Sequence, residues 1–142
     1  MEQAYTNRSL NRLLANYLVL SMKLFRYQYF VKGAHAYAHQ QLFYTFRTNV
    51  EEDIENLATF IASRDGKPFA TMIKCVKEST LEEATADDEE EEIFEQLIHD
   101  FSLMDNQIEE MHKDVEDSVK FKLFTFQQKL LEKRHLCLKM RK

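Results

Sequence analysis

The sequence contains no tryptophan, one proline and two glycines in 142 residues. So few turn formers exclude a sandwich or barrel built on many tight turns and favour long helices. The two cysteines, Cys75 and Cys137, stand far apart and make no metal-type pair. No apolar run approaches the roughly 18 residues of a membrane span. Met1 to Arg8 is polar, unlike a signal peptide. A soluble, reduced, cytoplasmic protein without a membrane partner is the expectation. The net charge of -5 argues against a chain wrapped wholly in nucleic acid. The length suits a single domain, 1–142, with a sizeable core and a short polar N-terminal tail over 1–8.

What is present is helical periodicity. Leu10, Leu14, Tyr17, Ser21, Leu24 and Gln28 form a heptad-like stripe after Ser9, a candidate cap, and Gly33 suits the left-handed residue that ends the helix. From His39 to Arg64, Phe43, Phe46, Val50, Ile54, Leu57 and Ile61 recur at three- and four-residue steps on one helical face. Gln40, Tyr44, Glu51, Glu55 and Thr59 make a polar row beside that face. Pro68 suits the first turn of a short helix over Phe69 to Lys77, whose Phe69, Met72, Ile73 and Val76 share a side. Thr80 and Glu83 have the spacing of a capping box. The acidic run Asp87 to Glu92 then reads as solvated acids in the first turns of a helix. Phe94, Leu97, Phe101, Met104, Ile108, Met111 and Val115 form the most regular stripe. A last helix carries Leu123, Phe124, Leu130, Leu131, Leu136 and Leu138. The pattern predicts an all-α four-helix bundle with a short extra helix between helices two and three. Haem, di-iron and purely structural bundles all share it, so the pattern alone does not assign a function.

Ser9-Leu10-Asn11, Leu14-Ala15-Asn16, Val31-Lys32-Gly33, His35, Gly66-Lys67-Pro68 and Ser79-Thr80-Leu81-Glu82-Glu83 resemble the Dps proteins, the mini-ferritins also called DNA-binding proteins from starved cells. The resemblance covers about residues 9–84 without a gap; beyond it only the pattern and Leu131-Glu132-Lys133 are similar. It implies a ferritin-like bundle, a hollow dodecamer built from two-fold dimers, and a role in iron homeostasis and stress protection. It also implies an iron site shared across the two-fold interface, with histidines and an acid from one subunit and an Asp and a Glu from the other.

Carried over position by position, those ligands are mostly replaced. The histidine positions are Gln28 and Gln40, the neighbouring acid is Tyr44, the Asp is Glu55 and the Glu is Thr59. Carboxamide and hydroxyl oxygens are weak neutral donors to iron. Little or no ferroxidase activity is therefore expected, and no cofactor, with iron the one candidate. A hydrogen-bonded polar cluster in place of the iron, with Arg47 on the same row as Glu55 and with Gln28, Gln40 and Tyr44 facing it across the subunit interface, would spare Glu55 an uncompensated burial.

His35 and His39, one turn apart, could hold a relocated metal; the plainer reading puts His35 in the interhelix turn and His39 on a subunit face. In the family, acidic three-fold pores near the start of the last helix admit iron. Asp114, Glu116 and Asp117 keep that sign here, although Lys122 falls where an acid is common. Basic tails carry DNA binding in the family. Lys133, Arg134, Lys139, Arg141 and Lys142 are the candidates, against the simpler reading of charge complementing a helix C-terminus. Two classes of function follow: a mini-ferritin acting through a residual or displaced site, or a non-catalytic shell, DNA-associating or mixed with an active paralogue.

Overall fold

The computed structural model describes residues 2–85 and 88–141. Its helices are α1 (Glu2–Phe30), α2 (Ala36–Ser63), α3 (Met72–Glu78), α4 (Glu90–His112) and α5 (Asp117–Met140). Among the described residues no helix is long and apolar enough to cross a membrane.

Cross-helix polar contacts give the topology. The Asn7 and Asn11 side chains donate to the carbonyls of Arg64 (3.3 Å) and Lys67 (2.9 Å), laying the start of α1 along the end of α2. Asn16 meets Gln107 (2.8 Å) and Lys23 meets Asp100 (2.5 Å), so α1 runs antiparallel to α4. Asp53 with Lys129 (2.5 Å) and Arg64 with Glu116 (2.8 Å) set α2 antiparallel to α5. The segment 64–89 crosses over from α2 to the parallel α4 and carries α3. This is the expected bundle. Its core is the predicted stripes: Phe43, Phe46, Val50, Leu57 and Ile61 of α2 against Phe94, Leu97, Phe101, Met104 and Ile108 of α4.

Several boundaries differ from the sequence reading. The polar stretch 2–8 is no tail but the opening turns of α1, and Ser9 lies inside that helix. Thr6 is buried there, and Gln3 and Asn7 both donate to the Arg64 carbonyl that ends α2. The short helix starts at Met72, capped by Thr71, which accepts from Lys74 N (3.3 Å). Its Met72, Ile73 and Val76 face outward, and Cys75 is its buried anchor.

In α5 the buried register is Val119, Leu123, Phe126, Gln127, Leu130, Lys133 and Cys137. Phe124 and Leu136 are exposed. Apolar residues lie on both faces of this helix, so hydrophobicity alone did not select the inner one.

The capping box at Thr80 does not form, and α4 begins at Glu90 instead. Asn16, fully buried on α1, takes the groups that such a box would use. Its Oδ1 accepts from Ser79 Oγ (2.7 Å) and Thr80 N (2.8 Å), and its Nδ2 donates to Thr80 Oγ1 (3.0 Å). Residues 79–81 are thus held extended from the core. Replacing Asn16 by Ala orphans several of these partners at once. A loss of about 3 kcal/mol in urea unfolding is expected, from the cost of buried unpaired polar groups. A change below about 1 kcal/mol would show that the loop is held by other contacts.

The acidic run is not simply solvated. Asp88 is buried and receives a two-pronged bond from Arg26, Nε to Oδ1 at 3.1 Å and Nη2 to Oδ2 at 3.0 Å. Lys32 N donates to the Asp88 carbonyl (2.9 Å) and Glu90 N to the Lys32 carbonyl (3.2 Å), tying this strand-like turn to the end of α1. Asp87 lies outside the described residues.

Candidate functional site

The polar row of α2 stands beside its buried edge, as its spacing predicts. Gln28 on α1 and Gln40 on α2 are half-buried, whereas Tyr44, Glu55 and Thr59 are exposed on the chain surface. Arg47 organises this face. Its Nε donates to Gln28 Oε1 at 3.0 Å, and its Nη1 lies 3.8 Å from Glu51 Oε2. The guanidinium carbon sits over the rings of Phe25 (5.3 Å) and Tyr44 (5.8 Å). A polar cluster therefore forms within the chain, but around Arg47, Gln28 and Glu51. Glu55, expected in a cluster that spans the subunit interface, lies apart from it within its own chain. Glu51 is one turn from Arg47, whereas Glu55 is two turns away, about 12 Å along the axis.

The chemistry of this donor set does not fit iron. Of the five positions, Glu55 alone is a carboxylate, and none is an imidazole. The side-chain oxygen of Gln28 already accepts from a permanent cation.

The other candidate cation pair is drawn toward α4. His39 is buried and its Nδ1 lies 3.3 Å from Glu90 Oε1. His35 is exposed, with Nδ1 3.9 Å from Glu90 Oε2. The sequence alone places Glu90 in a run of solvated acids. In the fold, Oε1 also accepts from the His35 backbone N–H at 2.7 Å. The Glu90 side chain occupies the space beside Gly33, whose φ of +140° and missing Cβ leave room for it. Among the described residues, no group of three or more His, Cys, Asp or Glu side chains could hold a metal ion.

The bundle interior offers no alternative. Intra-bundle di-iron sites in ferritin-like proteins converge four Glu and two His from facing helices. Here the buried acids among the described residues are Asp53, Asp88 and Asp100, and each faces a basic side chain. Burial lifts the carboxyls of Asp53 and Asp100 above the usual range, opposed by Lys129 and Lys23 respectively. Burial also pulls the Lys133 ammonium down, opposed by Asp53. The Cys137 thiol is pushed up to about 12 by burial, which leaves it unreactive. Periodicity carried a signal for these groups that hydrophobicity hid. Lys23, Asp53, Asp100 and Lys133 all fall on core-facing steps of their helices.

The proposed pore acids are exposed near the α5 start, but Glu116 is bound to Arg64 (2.8 Å) and Asp117 is 3.9 Å from Lys120. Lys122 lies over the Phe60 ring at 5.7 Å. The basic C-terminal set is only partly drawn into the bundle. Lys133 is buried and so cannot be a DNA contact. Arg134 donates to Ser102 (2.8 Å) and Arg141 to Glu95 (2.9 Å). Lys139 is exposed, and Lys142 lies outside the described residues.

Residues 7–140 match the family model described as a ferritin-like domain. The chain is 30% identical over 92 residues to the DNA protection during starvation protein of Brevibacillus brevis, 65% of this chain and 62% of that protein's length. It is 26% identical over 97 residues to general stress protein 20U of Bacillus subtilis, 68% of this chain and 67% of that one. Among solved structures it is similar to a Dps protein from Bacillus brevis. The TM-score is 0.93 at 22% identity, with 98% of this chain and 96% of that chain covered.

Proposed function

The chain belongs to the ferritin-like domain family, and from that premise we propose that it is a Dps-like shell subunit of iron homeostasis and stress protection that does not oxidise iron. The observation that carries the second half is Arg47. Its guanidinium is bonded to Gln28, at the position where the family resemblance calls for a histidine ligand. A fixed positive charge there repels a divalent cation. The remaining positions, Gln40, Tyr44, Glu55 and Thr59, supply one carboxylate between them. Across the two-fold interface that the resemblance implies, Glu55 of a second copy would meet Arg47, and an ion pair would take the place of the bridging metal.

The surface supports assembly. Met22, Phe25, Tyr29 and Phe30 of α1 and Met72, Ile73 and Val76 of α3 are all exposed on the single chain. Apolar surface in that amount marks an interface. A hollow dodecamer of two-fold dimers in the cytoplasm is the form this reading gives it. DNA is assigned no part in it, because Lys133 is buried and Arg134 and Arg141 are bound to α4 side chains.

Purified protein and its Glu55→Ala variant, given Fe(II) in air, are expected to show the same oxidation rate as buffer. The unsubstituted protein should elute from a sizing column as a shell. Oxidation by the unsubstituted protein that exceeds both buffer and the variant would refute the lost activity. A monomer on the column would refute the shell.

A further inference from the structure

We propose that the cleft between the first turns of α1 and the short helix α3 binds the dianionic phosphate group of a small molecule, either free phosphate or a phosphomonoester. The cleft shares no residue with the replaced iron pocket or with the apolar surface assigned to assembly.

Its volume is about 380 Å3, and its walls carry Arg8 and Arg12 from α1 and Lys74 and Glu78 from α3. Arg8 and Arg12 stand one turn apart on the same stripe of α1. Like charges at that spacing repel and weaken a helix. The carboxylate in the cleft offsets this only in part. Glu78 meets Arg12 through Nε at 3.4 Å, and the contact is exposed, so it contributes little. Among the described residues, neither Arg8 nor Lys74 has a carboxylate partner. Three cations around one carboxylate leave two positive charges in excess, on a chain whose net charge is -5. That local excess matches a phosphate dianion.

The floor of the cleft is fixed from the core. Asn11 is buried; its Nδ2 donates to the Lys67 carbonyl (2.9 Å) and its Oδ1 accepts from Phe69 N (2.9 Å). These bonds clamp residues 67–69 onto α1 and set Phe69 in the cleft wall. Lys74 Nζ lies over the Phe69 ring, 5.2 Å from its centroid, and this contact holds the ammonium at the cleft.

The chemistry of the donors selects the ligand. Arginine forks match phosphate oxygens in pairs, and a lysine adds a point charge. A single carboxylate would neutralise half of the excess, whereas a phosphate dianion neutralises all of it. Phe69 gives an apolar face along which the organic part of a phosphomonoester can lie.

The test uses the whole protein in a chloride buffer of low ionic strength, titrated calorimetrically with sodium phosphate and with AMP to millimolar concentration. One phosphate group per chain should bind, and added salt should weaken it. Arg8→Ala and Lys74→Ala remove exposed side chains and should each weaken binding roughly tenfold. Glu78→Gln removes the competing carboxylate and should tighten binding roughly threefold, a gain that damage to the fold would not give. Lys139→Ala, exposed near the end of α5, should leave binding unchanged. Equal affinities support the site as one for the free ion, and a tighter AMP supports it as one for a phosphomonoester. No binding of either, or binding that Arg8→Ala, Lys74→Ala and Glu78→Gln all leave unaltered, overturns the site. If duplex DNA binds through Arg8 and Lys74 while phosphate and AMP do not, the cleft is part of a nucleic-acid surface and the proposal fails.

Discussion

Asp100→Leu is expected to cost about 3–5 kcal/mol of folding stability, and adding Lys23→Met should return most of that loss. Both side chains of this pair are 2% exposed, with Nζ and Oδ2 2.5 Å apart. Removing the carboxylate leaves an ammonium in the core with no counter-charge, and its desolvation is then uncompensated. Removing both charges replaces an ion pair by apolar groups of similar size, which is near neutral when packing is kept. Urea unfolding of the two variants beside the parent separates charge from packing. Equal losses in the single and double variants would show that shape, and not charge, sets the cost.

The same pair gives a pH dependence with a defined sign. Burial lifts the Asp100 carboxyl, with Lys23 opposing. The folded chain then retains a proton that the unfolded chain, with an Asp near 3.9, has released. The stability contributed by this group is fully present below that unfolded value. It is lost as pH rises through the lifted folded one. Asp53 has the same direction, with burial again the cause and Lys129 opposing. In Lys23→Met/Asp100→Leu the Asp100 part of this fall should vanish. The stability difference between parent and double variant should therefore shrink or reverse on going from pH 4 upward.

The second large effect is a gain. A variant carrying Gln28→His, Gln40→His, Tyr44→Asp and Thr59→Glu, with Arg47→Leu and the native Glu55, is expected to bind Fe(II) on the order of a hundredfold more tightly than the parent. It should also oxidise Fe(II) where the parent does not. The substitutions add two imidazoles, add two carboxylates and remove one cation. Borderline metals need those donors, and a guanidinium held beside them opposes the ion directly. The informative control keeps Arg47 and makes the other four changes. It should assemble equally well yet bind iron less tightly, because the positive charge remains. If the full variant forms the shell and stays inert, the pocket does not lie at these positions.

The architecture was legible in the sequence because one-faced helices reveal themselves by period. Phe43, Phe46, Val50, Leu57 and Ile61 on α2, and Phe94, Leu97, Phe101, Met104 and Ile108 on α4, are buried where spacing put them. The donor types at the positions that the family resemblance assigns to iron were equally legible, since donor chemistry is a property of the residue type at each position. What periodicity could not supply was the partner of each polar group. Asn16 bonds residues 79–81 from another helix, and that contact takes the place of a capping box at Thr80. Lys133 read as surface charge until the register of α5 turned it inward. Arg47 and Gln28 are on different helices, as are His39 and Glu90, and only packing brings each pair together. Side-chain spacing along one helix is a local property written in the chain, whereas a contact between helices depends on their rotation and offset. Those were decided by the tertiary structure.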